Sequence, residues 1–147
     1  MKQRMTTWLK VIVPILTALW ICWILSRSMK TGTVSASESG RYLYGLRRFF
    51  PWMTMFIVRK SAHFLEFFVL GLLLFLDFKL WWRRCFWLPA LCGLLVAAGD
   101  ELLQRIIPER SGELADVLLD FSGVLLACLL AYGISVLRKK RRVKHGG

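Results

Sequence analysis

Residues 99–123 read GDELLQRIIPERSGELADVLLDFSG. This stretch holds six of the nine acidic residues in a chain of 147, with long apolar segments on both sides. Acids lodged between membrane-length apolar segments are expensive to keep, and by default they mark function. The flanks decide the fold class. The chain is 56% hydrophobic and carries 7 Trp and 10 Phe. A water-soluble domain of this length could not hide so much apolar surface, whereas lipid covers it. Helices satisfy their own backbone in lipid, so the sequence predicts an all-α integral membrane protein.

Four spanning helices are expected, at about 8–25, 60–78, 85–107 and 116–137, forming one bundle and a single domain over 1–147. Pro14 in the first is tolerable in a membrane helix. A retained first helix is favoured over a cleaved leader, because the small-residue box Val34-Ser35-Ala36 lies far beyond Leu25. Ser26 to Gly40 has no apolar periodicity and reads as a loop. Arg41 to Val58 mixes arginine with aromatics and is divided by Pro51. Its first half suits an amphipathic segment in the headgroup layer, and its second half begins the next helix. Trp81 and Trp82 anchor the basic turn after the second span. Pro108 ends the third span, because a proline disfavours helix in the residue before it, and Ser111 and Gly112 make the turn. Residues 138–147 form a basic tail expected to lie in the cytoplasm without fixed structure.

Charge sets the orientation. With four spans, one side collects twelve Lys and Arg and the other nine. The dense block at the C-terminal tail makes the first side cytoplasmic, with both termini there. Every acid except Asp77 then falls toward the outer face. The net charge of +12 is carried in short runs beside the apolar segments, and no recognition motif accompanies it, so no nucleic acid is expected as a partner. Cys22, Cys85, Cys92 and Cys128 lie in or beside apolar segments without a CxxC pair and read as small buried hydrophobes.

The polar residues fall on three helices. Lys60, His63 and Glu66 recur every three residues, on one side of the second span. An imidazole beside a carboxylate can do acid–base work, and Glu66 would set its tautomer. The rival reading is an interhelical hydrogen bond that holds the bundle together. Asp100, Glu101 and Gln104 follow Ala97, Ala98 and Gly99, small residues that allow close helix approach. The two adjacent carboxylates should diverge, one inward and one along an interface. Arg110 offers a planar fork of donors to an anion, or clamps Asp116 or Glu101. Asp116 and Asp120 stand one turn apart and must be neutralised by Lys60, Arg110, a shared proton or a cation. Glu109 and Glu113 read as solvated rim charges. The cluster could offer nitrogen and oxygen ligands, but the paired Glu-x-x-His motifs of di-iron bundles are absent, and no metal or other cofactor is expected to be required. Ser61, Ser111 and Ser122 lack a nucleophile elbow.

KSAHFLEFFVLGLLL followed by GDELLQRIIPERSGELADVLLDFSGVLLA resembles the VanZ-like family of bacterial membrane proteins, over roughly residues 56–131. Lys60, His63, Glu66, Asp100, Glu101, Gln104, Pro108, Arg110, Asp116, Asp120 and Gly123 carry the likeness. Phe67 stands where many members have Tyr, and Asp120 where many have Asn. The resemblance implies a multi-span protein of the bacterial cell membrane, in a family whose founding member is linked to teicoplanin resistance. It does not name a reaction.

Three functions compete. In the first, a membrane enzyme acts at the outer leaflet on a lipid-linked or cell-wall precursor. His63, Glu66, Asp100, Glu101, Asp116 and Asp120 would do the chemistry, and Lys60, Gln104 and Arg110 would bind substrate. In the second, a non-catalytic protein binds lipid or antibiotic, or scaffolds an envelope partner. The third is a small carrier, which four spans and no inverted repeat disfavour unless a homo-oligomer enlarges the path.

Overall fold

A computed structural model describes residues 2–81, 86–110 and 112–144. Five helices account for the regular structure among them: α1 (Lys2–Ser28), α2 (Gly32–Arg47), α3 (Met55–Trp81), α4 (Trp87–Ile106) and α5 (Leu114–Lys144). The 27 residues of α3 give it a length of roughly 40 Å at the standard helical rise. Two stretches, Thr7–Ser28 in α1 and Leu114–Arg138 in α5, are long and apolar enough to cross a membrane. Pro14 sits within α1 without ending it.

α3 is the centre of the molecule and packs against each of the other four helices. Its buried side carries Phe67, Leu70, Leu74 and Phe75, which meet Ile24 of α1, Ala97 of α4, and Val124 and Cys128 of α5. Small residues sit where the helices touch. A Cβ on Gly71 would lie 2.7 Å from the Val124 carbonyl oxygen, and one on Gly123 would lie 2.6 Å from that of Phe64. Large apolar side chains point outward instead, among them Leu19 and Trp23 of α1, Leu91 and Leu95 of α4, and Leu118 and Leu137 of α5. Small residues at the closest helix contacts, with leucine on the outer faces, are what helices adopt when lipid, not water, covers those faces.

The ends of the helices meet in a fixed pattern. The C-terminal ends of α1 and α4 lie beside the N-terminal ends of α3 and α5. Arg110 Nη1 donates to the Ser28 carbonyl at 3.1 Å, the Glu113 backbone N–H donates to Glu101 Oε2 at 3.0 Å, and Lys60 pairs with Asp116. At the other end the Thr17 hydroxyl donates to Asp77 Oδ2 at 2.6 Å, and Lys79 Nζ to the Ser135 hydroxyl at 2.6 Å.

Three expectations need correction. The segment Ser26 to Gly40 is not a loop: α1 runs to Ser28, and α2 occupies Gly32–Arg47. Serine and glycine give α2 little intrinsic helix preference, and non-local contacts supply what propensity lacks. The Thr31 side chain does not cap it; Glu109 reaches across instead, its carboxylate accepting from the Thr33 N–H at 3.0 Å. Lys30 bonds Glu38 at 2.5 Å, and Ser39 and Leu43 are buried. Glu109 adopts φ 61°, a left-handed conformation that costs about 1–2 kcal/mol in a residue with a Cβ. The basic tail is not unstructured throughout, because α5 continues to Lys144. Arginine and lysine are good helix formers, so nothing local stops a helix already nucleated in the apolar segment. Finally, Cys128 is buried and Cys92 half-buried, but Cys22 faces outward from α1. Trp82, Cys85 and Ser111 lie outside the described residues.

Candidate functional site

The polar residues collect at the end where Ser28, Met55, Ile106 and Leu114 mark the helix termini. Most form pairs between helices. Lys60 of α3 holds Asp116 of α5 in a hydrogen-bonded ion pair. Arg27 Nε of α1 binds Glu66 Oε1 of α3 at 2.8 Å, and Trp20 Nε1 donates to the Glu66 carbonyl at 2.9 Å. Glu66 is thus engaged by α1 and does not orient His63, as its position three residues along the same helix had predicted. The carboxylate facing the imidazole belongs to Asp120 of α5, with His63 Nδ1 and Asp120 Oδ2 3.7 Å apart. That separation allows attraction but is too long for a hydrogen bond.

On α4 both adjacent acids turn inward. Asp100 is fully buried, and Glu101 and Gln104 nearly so. The two carboxylates face different neighbours. Gln104 Nε2 donates to Asp100 Oδ2 at 2.9 Å, and Glu101 Oε2 accepts the Glu113 N–H just before α5 begins. Gly112 makes that approach close, since a Cβ there would collide with the Glu101 carbonyl oxygen. Neither Glu101 nor Asp116 is clamped by Arg110, whose guanidinium bonds the end of α1 instead. Glu109 and Glu113 are exposed, as rim charges should be.

His63, Asp100 and Asp120 converge. One ligand atom from each lies within 4.8 Å of the other two. Asp120, like Asp100, is fully buried. Among the described residues, Asp100 Oδ1 and both Asp120 carboxylate oxygens have no hydrogen-bond partner. Taking a carboxylate out of water without compensation costs several kcal/mol, so a cluster of this kind calls for a counter-charge or a proton.

His63 also lines a small cavity, with free space of about 20 Å³, together with Arg27, Lys30, Glu38, Arg59, Glu66 and Arg110. The space left between these side chains is narrow, on the scale of a water or of the oxygens of one small anion. Four cations and two carboxylates face it. Arg27 is matched by Glu66 and Lys30 by Glu38. Arg59 and Arg110 are in no ion pair among the described residues, and the buried Arg110 Nε has no acceptor. Burial, with Arg59 adding like-charge repulsion, pulls the Arg110 guanidinium below its usual range. The hydrogen bond from Lys30 holds the Glu38 carboxyl below the ordinary carboxylate value.

A family model described as VanZ/LLP1 matches residues 13–138. The chain belongs to that family. Its matched region takes in all the residues of the cavity and the cluster. Among curated proteins, the uncharacterized protein C11E3.10 of Schizosaccharomyces pombe is 34% identical over 97 residues. That alignment covers 65% of this chain and 57% of the relative, so the chain spans a little over half the length of the yeast protein. No solved structure matches. Family membership and the two apolar helices make this a membrane protein.

The polar residues therefore sort into groups. Lys60, Asp116, Glu66, Glu101 and Gln104 tie helices or side chains together, while His63, Asp100 and Asp120 form the unsatisfied centre and Arg110 the cavity wall. Phe67 is wholly buried in the apolar core, where a hydroxyl in its place would need a partner. Sequence reasoning passed over Arg27, Lys30, Glu38 and Arg59 as site residues. One signal was available for Arg27: Glu66 needs a cation, and Arg27 ends the neighbouring span on the same side.

Proposed function

We propose that this protein is a four-span membrane protein that binds the phosphate-bearing headgroup of a membrane lipid or lipid-linked precursor in its basic cavity and acts on it there. The observation that carries this reading is the pair of unmatched guanidiniums, Arg59 and Arg110, facing one cavity with His63 at its wall. Their surplus of two positive charges matches a phosphate monoester, which carries about −1.5 to −2 at neutral pH. Arginine is also suited to phosphate, because its planar fork donates two parallel hydrogen bonds. The narrow interior admits the headgroup oxygens, while acyl or prenyl chains stay in lipid against the outward leucines. His63, Asp100 and Asp120 stand next to the bound phosphate. Two carboxylates and an imidazole can relay a proton or hold a cation.

In this reading α3 and α4 span beside α1 and α5, both termini are cytoplasmic, α2 lies in the outer headgroup layer, and the cavity opens to the outer leaflet. The positive block at the C-terminal end supports that orientation. A relative in a fission yeast favours a headgroup chemistry common to bacterial and eukaryotic membranes over one peculiar to a bacterial cell wall. If the chain serves a bacterial envelope, a changed lipid pool is the route by which it would touch glycopeptide resistance.

The interhelical pairs favour a second reading, in which the polar residues only hold the helices and the cavity binds lipid without altering it. Mass spectrometry of total lipids from cells with and without the protein separates the two. Catalysis predicts a shift in one phosphate-bearing species that is lost in His63→Gln at equal membrane levels. An unchanged lipid profile with abundant folded protein contradicts it.

A further inference from the structure

The cluster at the centre of the bundle poses a problem that headgroup binding does not solve. Asp100 and Asp120 are fully buried, and three of their four carboxylate oxygens lack a hydrogen-bond partner among the described residues. Lys60 pairs with Asp116 and Arg27 with Glu66, and among the described residues no lysine or arginine lies within ion-pair distance of Asp100 or Asp120. Two ionised carboxylates left this way would cost several kcal/mol each.

We infer that His63, Asp100 and Asp120 form a binding site for one divalent transition-metal ion. Charge supports it first. Two carboxylates and a neutral imidazole around a dication sum to zero, the cheapest total for a site between apolar helices. Geometry supports it next. The three donor atoms lie within 4.8 Å of one another. Ligands about 2.0–2.2 Å from a shared ion sit somewhat closer together, so small side-chain rotations would close the shell. Each ligand comes from a different helix, α3, α4 and α5. Glycines hold these helices close: a Cβ on Gly93 would strike the Val124 side chain, and one on Gly123 the Phe64 carbonyl.

The surroundings of Asp100 point the same way. Gln104 Nε2 occupies Oδ2 at 2.9 Å and leaves Oδ1 bare. A ligating carboxylate fixed through its second oxygen is the usual outer-shell arrangement at metal sites. The donor set narrows the ion. One imidazole with two carboxylates suits Zn²⁺, Mn²⁺ or Fe²⁺, whereas Mg²⁺ and Ca²⁺ prefer oxygen alone. Three protein ligands leave a coordination position open, as catalytic sites do. His63 also lines the basic cavity, so the open position would look toward the anion site. The metal site stands on its own side chains, whether or not a headgroup binds beside it.

The test begins with the full chain purified in detergent without chelator. Elemental analysis should find about one equivalent of zinc, manganese or iron per chain. After stripping with EDTA, Zn²⁺ or Mn²⁺ should raise the thermal unfolding midpoint, and Mg²⁺ should not. Asp120→Asn and His63→Gln should abolish both the bound metal and the rise. Glu113→Gln, on the exposed rim, should keep both. Gln104→Leu should weaken affinity about 10- to 100-fold by freeing Asp100 to turn. Folding does not confound Asp120→Asn, because it removes a buried charge, and the metal-free variant should unfold no lower than the metal-free parent. Metal-free protein that no ion stabilises, with the cluster neutralised by bound protons instead, would overturn the site. So would undiminished metal in Asp120→Asn and His63→Gln. Lipid binding is read separately, so neither outcome decides the headgroup reading.

Discussion

Gly123 links helix packing to the cluster, and replacing it with alanine should disturb both. The added methyl would lie 2.6 Å from the Phe64 carbonyl oxygen and 3.1 Å from the Phe68 nitrogen. Both are backbone atoms of α3, so no side-chain rotation can make room. Ordinary contact begins near 3.4 Å, so α3 and α5 must part by about 0.8 Å. Overpacking of this kind costs about 1–3 kcal/mol. Alanine returns up to about 1 kcal/mol through its better helix propensity. The net loss for Gly123→Ala should be about 0–3 kcal/mol. Gly133, further along the same helix, has nothing within 4 Å of its Cβ position, so Gly133→Ala should gain up to about 1 kcal/mol. The gap between the two variants is therefore about 1–3 kcal/mol. The strain also reaches the cluster, because Gly123 follows Asp120 by three residues. Parting the helices by that amount carries His63 Nδ1 and Asp120 Oδ2, now 3.7 Å apart, out of ion-pair range. Reversible unfolding of the purified protein in mixed micelles measures the difference. Gly123→Ala and Gly133→Ala of equal stability would refute the close α3–α5 contact.

Other outcomes follow from the same geometry. Lys60→Met and Asp116→Asn should each lower stability by about 1–3 kcal/mol, since the pair is largely shielded, and the double variant should lose less than the sum of the two. Additive losses in a double-mutant cycle would show that the two side chains do not interact. The Lys30–Glu38 contact gives a pH signature. Its folded-state carboxyl titrates below the ordinary value of 4.5, so its contribution is present above that value and is lost as pH falls through the lower folded-state value. Glu38→Gln should thus be slightly less stable than the parent at neutral pH and equal to it in acid, in matched melting curves. A gap between the two that widens in acid would reverse the sign. Thr17→Val removes the hydrogen bond to Asp77 and leaves a half-buried carboxylate with one partner fewer, a loss of about 1–3 kcal/mol by the same unfolding assay. Unchanged stability would show that water serves Asp77 as well.

The apolar helices were legible because period and length announce them, and Pro108 and the small residues around Gly112 placed the break between α4 and α5. The C-terminal part of α2, from Arg41, was legible as an amphipathic segment, but residues 32–40 were not: they have no apolar stripe and are held by Glu109 and Lys30, contacts that only the folded chain makes. Residue types in the site were readable, but partners were not. Spacing along one helix offered Glu66 to His63, whereas helix crossing gives Glu66 to Arg27 and Asp120 to His63. Same-helix spacing shows which side chains share a face, and only packing decides what that face meets. The inward turn of both Asp100 and Glu101 was hidden for the same reason: each finds its own donor, one on α4 and one at the start of α5.

In the proposed function, Arg59 and Arg110 bind a phosphate-bearing headgroup beside the buried cluster. Native mass spectrometry of the purified protein, titrated with phosphatidic acid and with phosphatidylcholine of matched chains, tests it most directly. Saturable binding of one phosphatidic acid is expected, at least tenfold tighter than phosphatidylcholine, with the preference lost in Arg59→Gln/Arg110→Gln and kept in Arg105→Gln. Equal affinity for the two lipids, or a preference that survives the double substitution in folded protein, would contradict it.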